Sequence, residues 1–110
     1  MAWTEAAGGA QVCSVGTEHT LTTQTTAGTY ALVIDSNVFA DGDTFEVRLK
    51  TIVRSAGTER VAYLRSYVNA QDADSLIKYS VPVPVNVSIK ATLKQTAGTS
   101  RTVTWALLTV

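Results

Sequence analysis

Strict alternation of apolar and polar side chains is the feature that most constrains the fold of this chain. Residues 44–50 read Thr-Phe-Glu-Val-Arg-Leu-Lys, and residues 86–94 read Asn-Val-Ser-Ile-Lys-Ala-Thr-Leu-Lys. Successive side chains of a β-strand point to opposite faces, so this period predicts a sheet with one buried and one solvated face. Threonine and valine, which are β-branched and favour strands over helices, occur throughout the chain.

The alternating runs and the turn residues between them predict eight strands. These lie near residues 10–15, 18–25, 29–35, 44–54, 59–68, 78–83, 86–95 and 101–109. Residues 81–85, Val-Pro-Val-Pro-Val, predict an edge strand or an extended crossing, because proline has no N–H to donate to a ladder. The predicted fold class is all-β, with an antiparallel β-sandwich or a jelly-roll-like barrel of about eight strands.

Three connections share a short Ala-Gly turn, at residues 26–29, 55–58 and 96–99. Glycine supplies the positive φ that a tight hairpin loop needs. Each of these connections lies between two strand candidates, so the sequence predicts three hairpins.

A chain of 110 residues makes one domain and can bury a core without disulfides. Trp105 alternates with Val103 and Leu107 in the last strand candidate, which predicts a core position for it. No linker-like stretch divides the chain, and we expect a single β-sandwich domain over residues 10–110. Residues 1–9 hold small side chains and Trp3, and they predict a flexible N-terminal arm. Trp3 then either folds back on the core or docks on a neighbour.

Charge and cysteine content exclude several classes of protein. Nine basic and nine acidic side chains give zero net charge, which removes bulk attraction to nucleic acid or anionic membranes. A single cysteine forms no intrachain disulfide, and the paired Cys and His ligands of zinc sites are missing. No signal-peptide pattern or membrane-length apolar run is present. We expect a protein kept in the cytoplasm or assembled there, without membrane contact, and with Cys13 as a small buried residue.

Few residues are candidates for catalysis or metal binding. His19 is the only histidine, and its alternation with apolar neighbours is typical of a half-buried strand residue. Asp35, Asp41 and Asp43 surround a turn-rich loop and offer the oxygen ligands that calcium prefers, but without the EF-hand spacing. We therefore expect no enzymatic activity, no catalytic residue, no metal site and no cofactor. Whether this acidic loop binds a cation stays open.

Several basic side chains fall on two neighbouring strand candidates, namely Arg48, Lys50, Arg54, Arg60 and Arg65. Cross-strand pairing would place some of them on one face. Tyr63 and Tyr67 suggest a surface for single-stranded nucleic acid, which combines such charges with stacking aromatics. Glu46 and Glu59 dilute that charge, so direct nucleic-acid binding is not expected. We select Trp3, Arg48, Lys50 and Arg65 as candidate interface residues for protein contact.

Three stretches of the chain resemble small β-rich virion proteins of tailed bacteriophages. They are residues 15–21 (VGTEHTL), 79–84 (YSVPVP) and 93–99 (LKQTAGT). The resemblance covers most of the chain and rests on strand and turn residues. Some of these virion proteins are capsid cement, or decoration, proteins. The resemblance thus implies a non-enzymatic structural subunit that stabilises the phage head by bridging capsid subunits.

The resemblance also implies partners and a location. The partners are the major capsid protein or other virion proteins, with a homo-oligomer in the assembled particle. The location is the virion, assembled in the host cytoplasm. Two alternatives stay open: a head-tail connector or tail component, and a carbohydrate- or peptide-binding β-sandwich module. The second alternative requires exposed aromatic side chains on one face, and the residues that could serve are Trp3 and some of Tyr30, Tyr63, Tyr67 and Tyr79.

Overall fold

The computed structural model describes residues 2–110, which form two antiparallel sheets packed face to face. The strands are β1 (Thr4–Val12), β2 (Glu18–Gln24), β3 (Gly28–Asp35), β4 (Thr44–Ile52), β5 (Glu59–Val68), β6 (Ile77–Tyr79), β7 (Val83–Val85), β8 (Ile89–Ala97) and β9 (Thr102–Thr109). This architecture confirms the all-β prediction. Of the two predicted forms it is the β-sandwich and not the barrel, since within the described residues neither sheet closes on itself. No helix of membrane-spanning length and hydropathy occurs among residues 2–110.

The two sheets differ in strand order. Sheet A has the order β1-β9-β3, and β6 and β7 both pair with the far edge of β3. Sheet B has the order β2-β8-β4-β5. Most connections cross from one sheet to the other. Within residues 2–110, β4 and β5 are the only consecutive strands that pair with each other.

This topology corrects two of the three predicted hairpins. The turns at residues 26–29 and 96–99 lead from sheet B to sheet A, so they are corners of the sandwich. Only the 55–58 turn joins paired strands, and its left-handed residue is Ala56 with φ of 64°. Among the three turn glycines, the predicted positive φ is found only at Gly98, where it is 98°. Gly57 is required for a different reason, since a Cβ there would lie 2.8 Å from the Arg54 carbonyl oxygen.

The core lies between the inner faces of the sheets. Phe45, Val47 and Leu49 of β4 are buried, as their alternation predicts, and each such apolar side chain contributes roughly 2 kcal/mol on burial. The ring of Phe39 stacks on Phe45 with centroids 3.9 Å apart. Trp105 of β9 is also buried, which confirms its predicted core position.

Residues 4–9 belong to β1, so the prediction of a flexible arm over residues 1–9 is wrong for this stretch. β1 pairs with β9 from Thr4 opposite Thr109 to Val12 opposite Thr102, with an irregularity between Glu5 and Ala7. Backbone hydrogen bonds to β9 hold these residues, and small side chains give no alternation from which the pairing could be seen. Met1 lies outside the described residues.

The proline-containing segment forms an edge, as predicted for residues 81–85. Val83 and Val85 of β7 are buried while Pro84 between them is exposed. β7 pairs with the start of β3, and β6 pairs with the end of β3. The single strand predicted over residues 78–83 is therefore two short strands that share one neighbour.

Candidate docking surface

The outer face of sheet B, which points away from the core, is densely charged. Cross-strand partners share a face, and one row on this face runs from Glu18 through Lys94 to Glu46. The charged side chains of the whole face are Glu18, Glu46, Arg48, Lys50, Glu59, Lys90 and Lys94. Both signs of charge alternate across the strands, which is typical of a solvated sheet surface.

Two predicted interface residues lie on this charged face, and both are paired with carboxylates. Arg48 Nη2 lies 3.1 Å from Glu46 Oε1, and Lys50 Nζ lies 2.8 Å from Glu18 Oε2. The hydrogen bond from Lys50 is the main reason that the pKa of Glu18 is lower than usual. Arg48 and Lys50 are therefore engaged within the protein itself.

Arg65 lies on the opposite side of its sheet, so the predicted basic face does not assemble. Arg65 of β5 pairs with the buried Val47, whereas Arg48 pairs with Leu64. Arg60 lies on the same side as Arg65, opposite Thr51. The pairing of β4 with β5 has a register irregularity between Leu49 and Lys50. Because of it, the side chains of β5 do not alternate regularly between the two faces along the whole strand.

The outer face of sheet A, in contrast, is almost free of charge. One row on it crosses four strands, from Gly8 through Ala106 and Val33 to Tyr79. The residues that form this face are Trp3, Glu5, Gly8, Ala10, Val12, Thr29, Ala31, Val33, Asp35, Ile77, Tyr79, Pro82, Pro84, Thr102, Thr104, Ala106 and Leu108. Glu5 and Asp35 are its only charged members among the described residues. We call this surface the sheet A face.

Two depressions lie on the sheet A face. One has a volume of about 380 Å³, and Trp3, Tyr79 and Pro82 stand around a floor of Ala31 and Leu108. The other has a volume of about 260 Å³ and extends along β3 and β9 toward Glu5 and Asp35. Trp3 is 43% exposed and Tyr79 is 63% exposed, so both rings present apolar area to solvent. An apolar depression bordered by large rings is a surface that a complementary side chain can enter.

Sequence reasoning selected Trp3 as an interface residue, and it named Tyr79 only as one of several tyrosines that a binding module could expose. Alternation places Ile77 and Tyr79 on one side of β6, but only the pairing of β6 with β3 shows which side that is. The same pairing brings Tyr79 into the depression that Trp3 borders, although the two residues are far apart in the sequence. No local pattern in the chain signals this neighbourhood.

His19 and Cys13 occupy the positions predicted for them. His19 is half-buried in β2, and its Nε2 accepts a hydrogen bond of 3.0 Å from the Ser14 backbone N–H. Cys13 is fully buried, and burial raises the pKa of its thiol. Both side chains are parts of the local packing.

The three aspartates around the 35–43 loop have separate roles. Asp35 accepts the backbone N–H of Asn37 at 3.0 Å, and Asp41 accepts that of Ala70 at 3.3 Å. Asp43 is buried inside the fold. Among residues 2–110, no three His, Cys, Asp or Glu side chains come together in a way that could hold a metal ion.

Asp43 is the centre of a buried polar cluster that the sequence did not reveal. It is 1% exposed, and its Oδ2 lies 2.8 Å from Arg101 Nε. Its carboxylate also accepts the backbone N–H groups of Ala40 at 3.0 Å and Thr99 at 3.2 Å. Burial alone would raise the pKa of Asp43, but the hydrogen bonds from Arg101, Ala40 and Thr99 outweigh it and lower that pKa. Asp43 thus ties the start of β4 to the β8–β9 corner.

Comparison of the chain with protein-family models, with curated proteins and with solved structures finds no match.

Proposed function

We propose that this protein is a non-enzymatic structural subunit that docks on a larger protein assembly through the sheet A face. The observation that supports it is the difference between the two outer faces of the sandwich. The outer face of sheet B carries charges of both signs on β2, β4 and β8, as expected of a sheet that faces water, and Val61, Leu64 and Val68 are its exposed apolar residues on β5. The sheet A face is contiguous, apolar and nearly uncharged, and such exposed patches mark interaction sites.

The size of the sheet A face is sufficient for a stable contact. The two longest dimensions of the molecule are 41 and 30 Å. A broad face of a molecule of this size can accommodate the roughly 800 Å² that each partner buries in a standard protein interface. Trp3 and Tyr79 are aromatic anchors of the kind that dominate binding energy in such interfaces.

The assembly that fits the sequence resemblance is a tailed-phage head. In this proposal the protein is a capsid cement or decoration subunit, and its partner is the major capsid protein or another virion protein. A cement subunit buries one face on the shell and leaves the other in water. The apolar sheet A face and the charged face of sheet B match these two requirements.

Quantitative mass spectrometry of gradient-purified particles of the source phage tests this function. A copy number comparable to that of the major capsid protein is expected. A few copies per particle would overturn the cement role in favour of a head-tail connector or tail component. Complete absence from the particle would overturn the virion role itself.

A second candidate function is carbohydrate binding, which the pair Trp3 and Tyr79 favours. Aromatic rings offer flat apolar surfaces with a polar handle, and these two border one depression. A glycan array separates this candidate from the first. Binding to a saccharide that is lost in both Trp3→Ala and Tyr79→Ala supports a carbohydrate module, and an array without a hit removes it.

A further inference from the structure

β5 is an edge strand with one side free of any partner. Among residues 2–110 it pairs only with β4, along Glu59–Val68, and this stretch contains neither proline nor glycine. An edge strand of this length presents a row of unpaired N–H and C=O groups, which is a template for another strand. β6 forms the neighbouring edge of sheet A, so the sandwich is open between β5 and β6.

A groove of about 420 Å³ occupies this opening. Its walls come from β5, β6 and the loop between them, which contributes Gln71 and Ser75. The basic side chains Arg65 and Lys78 line the groove, and no acidic side chain among the described residues does so. The groove is therefore basic, although the protein has zero net charge.

Both cations lie beside one buried tyrosine. The Arg65 guanidinium carbon is 5.5 Å from the centroid of the Tyr67 ring, and Lys78 Nζ is 5.9 Å from the same centroid. Lys78 Nζ also donates a hydrogen bond of 3.2 Å to Ser75 Oγ. The aromatic ring stabilises each cation. However, the two contacts place two positive charges around the same ring, where they repel each other.

No carboxylate of the described chain relieves this repulsion. The ion pairs among residues 2–110 use Arg48, Lys50, Lys90 and Arg101, and none of them involves Arg65 or Lys78. The cations elsewhere on the sheets are mostly paired, whereas both of those in this groove are left without an acid. Two unpaired cations at one groove are complementary to a carboxylate.

We propose that this groove binds an acidic segment of a partner protein in an extended conformation. The segment adds to sheet B as a further strand along β5, and its carboxylates face Arg65 and Lys78. Main-chain hydrogen bonds to the β5 edge hold such a segment, and the two cations select its charge. This site adjoins the sheet A face, with which it shares Ile77 and Tyr79. Its binding groups, the β5 edge and the two cations, lie outside that face, so the proposal does not depend on the docking proposed there.

The contacts of Tyr67 favour a peptide over a single-stranded nucleic acid as the occupant. Nucleic-acid platforms need exposed aromatic faces on which bases stack. Tyr67 is buried, its ring is already next to Arg65 and Lys78, and Tyr63 is half-buried. Tyr79 is the exposed ring among the described residues that line the groove, and one ring does not provide the series of stacking surfaces that successive bases need. The other free groups of the groove are a strand edge and two cations.

Fluorescence anisotropy with a labelled peptide of alternating Glu and Val tests the proposal. The full chain is expected to bind this peptide, and the matched peptide of alternating Gln and Val is expected to bind more weakly. Arg65→Gln and Lys78→Gln should each weaken binding by roughly tenfold, the effect of about one charge-assisted hydrogen bond. Lys94→Gln removes the same charge from the outer face of sheet B and should leave binding unchanged.

Hydrogen exchange of the complex distinguishes strand addition from simple ion binding. Slower exchange of β5 backbone amides on addition of the Glu peptide supports the proposal. Absence of binding, equal weakening by Lys94→Gln, or binding without protection of β5 overturns it. Tighter binding of oligothymidylate than of the Glu peptide also overturns it. Thermal unfolding of each variant shows that the compared proteins are folded.

Discussion

Asp43 shows how one buried residue joins distant parts of this chain. Its carboxylate ion-pairs with Arg101 and accepts backbone N–H groups from two separate loops. Gly98 lies against it with φ of 98°, and a Cβ on Gly98 would come within 2.8 Å of Asp43 Cα. The sequence indicated Asp43 only as one of several loop acids, because its ion-pair partner is remote in the chain. By contrast, the burial of His19 and Trp105 was predictable from strand alternation, and that of Cys13 from the apolar character of a free cysteine.

Substitution of Asp43 is expected to destabilise the protein. Asp43→Asn removes the charge that faces Arg101 and weakens the hydrogen bonds at the β8–β9 corner, so the free energy of unfolding should fall by about 2–3 kcal/mol. Asp41→Asn, at an exposed aspartate with one backbone contact, should change it by less than about 1 kcal/mol. Urea unfolding measures both values. Equal effects of the two substitutions would contradict a structural role for the Asp43 ion pair.

The same aspartate predicts a loss of stability in acid. Folding lowers the pKa of Asp43, so its contribution is present above the ordinary aspartate pKa of about 3.9 and disappears as the pH falls through the lower folded-state value. Urea midpoints between pH 6 and about pH 2.5 should therefore decline more steeply in the native sequence than in Asp43→Asn. Parallel declines in the two proteins would show that other carboxylates control the acid response.

The Cys13 thiol should be unreactive in the folded protein. It is fully buried and its pKa is raised, and thiol reagents attack the exposed thiolate. Ellman's reagent is expected to titrate no thiol in native buffer and one thiol in denaturant. Rapid reaction of the native protein would mean that the β1–β2 corner opens readily.

At the scale of elements, alternation located the strands but not their partners. The runs in β4 and β8 have mostly apolar residues at every second position, and both strands are central in sheet B. The turns at residues 26–29 and 96–99 gave no indication that they join different sheets, since sheet assignment depends on long-range packing. The first part of β1 was not predicted as a strand because its residues have small side chains. Gly9, for example, lies beside the Trp105 indole, 3.8 Å from where a Cβ would stand.

Removal of the first strand tests whether residues 4–9 are part of the folded sheet. Deletion of residues 2–9 strips the outer ladder from β9 and uncovers Trp105, so stability should fall by about 2 kcal/mol or more, which lowers Tm by roughly 8 °C or more. Trp3→Ala, which keeps β1 intact, should lower Tm by only a small fraction of this. Differential scanning calorimetry compares them. An unchanged Tm after the deletion would contradict this result and support a flexible arm instead.

For the whole molecule, the defining property is that the two outer faces differ. Composition gives only the charge of the whole chain, which is zero net charge from few charged residues. It therefore does not show that the charges are concentrated on one face. The predicted interface residues accordingly separate: Trp3 lies on the sheet A face, Arg48 and Lys50 lie on the charged face, and Arg65 lines the β5–β6 groove. The distribution of the charges emerges only once the strand order is known.

The central claim is that the sheet A face is the surface this protein buries in its assembly. Footprinting of the protein, free and within purified particles, measures this directly. Hydroxyl-radical oxidation of Trp3 and Tyr79 should fall severalfold in the particle, while acetylation of Lys94 on the outer face of sheet B stays unchanged. Protection of Lys94 with Trp3 and Tyr79 still reactive would contradict the account, because the charged face would then be the one that docks.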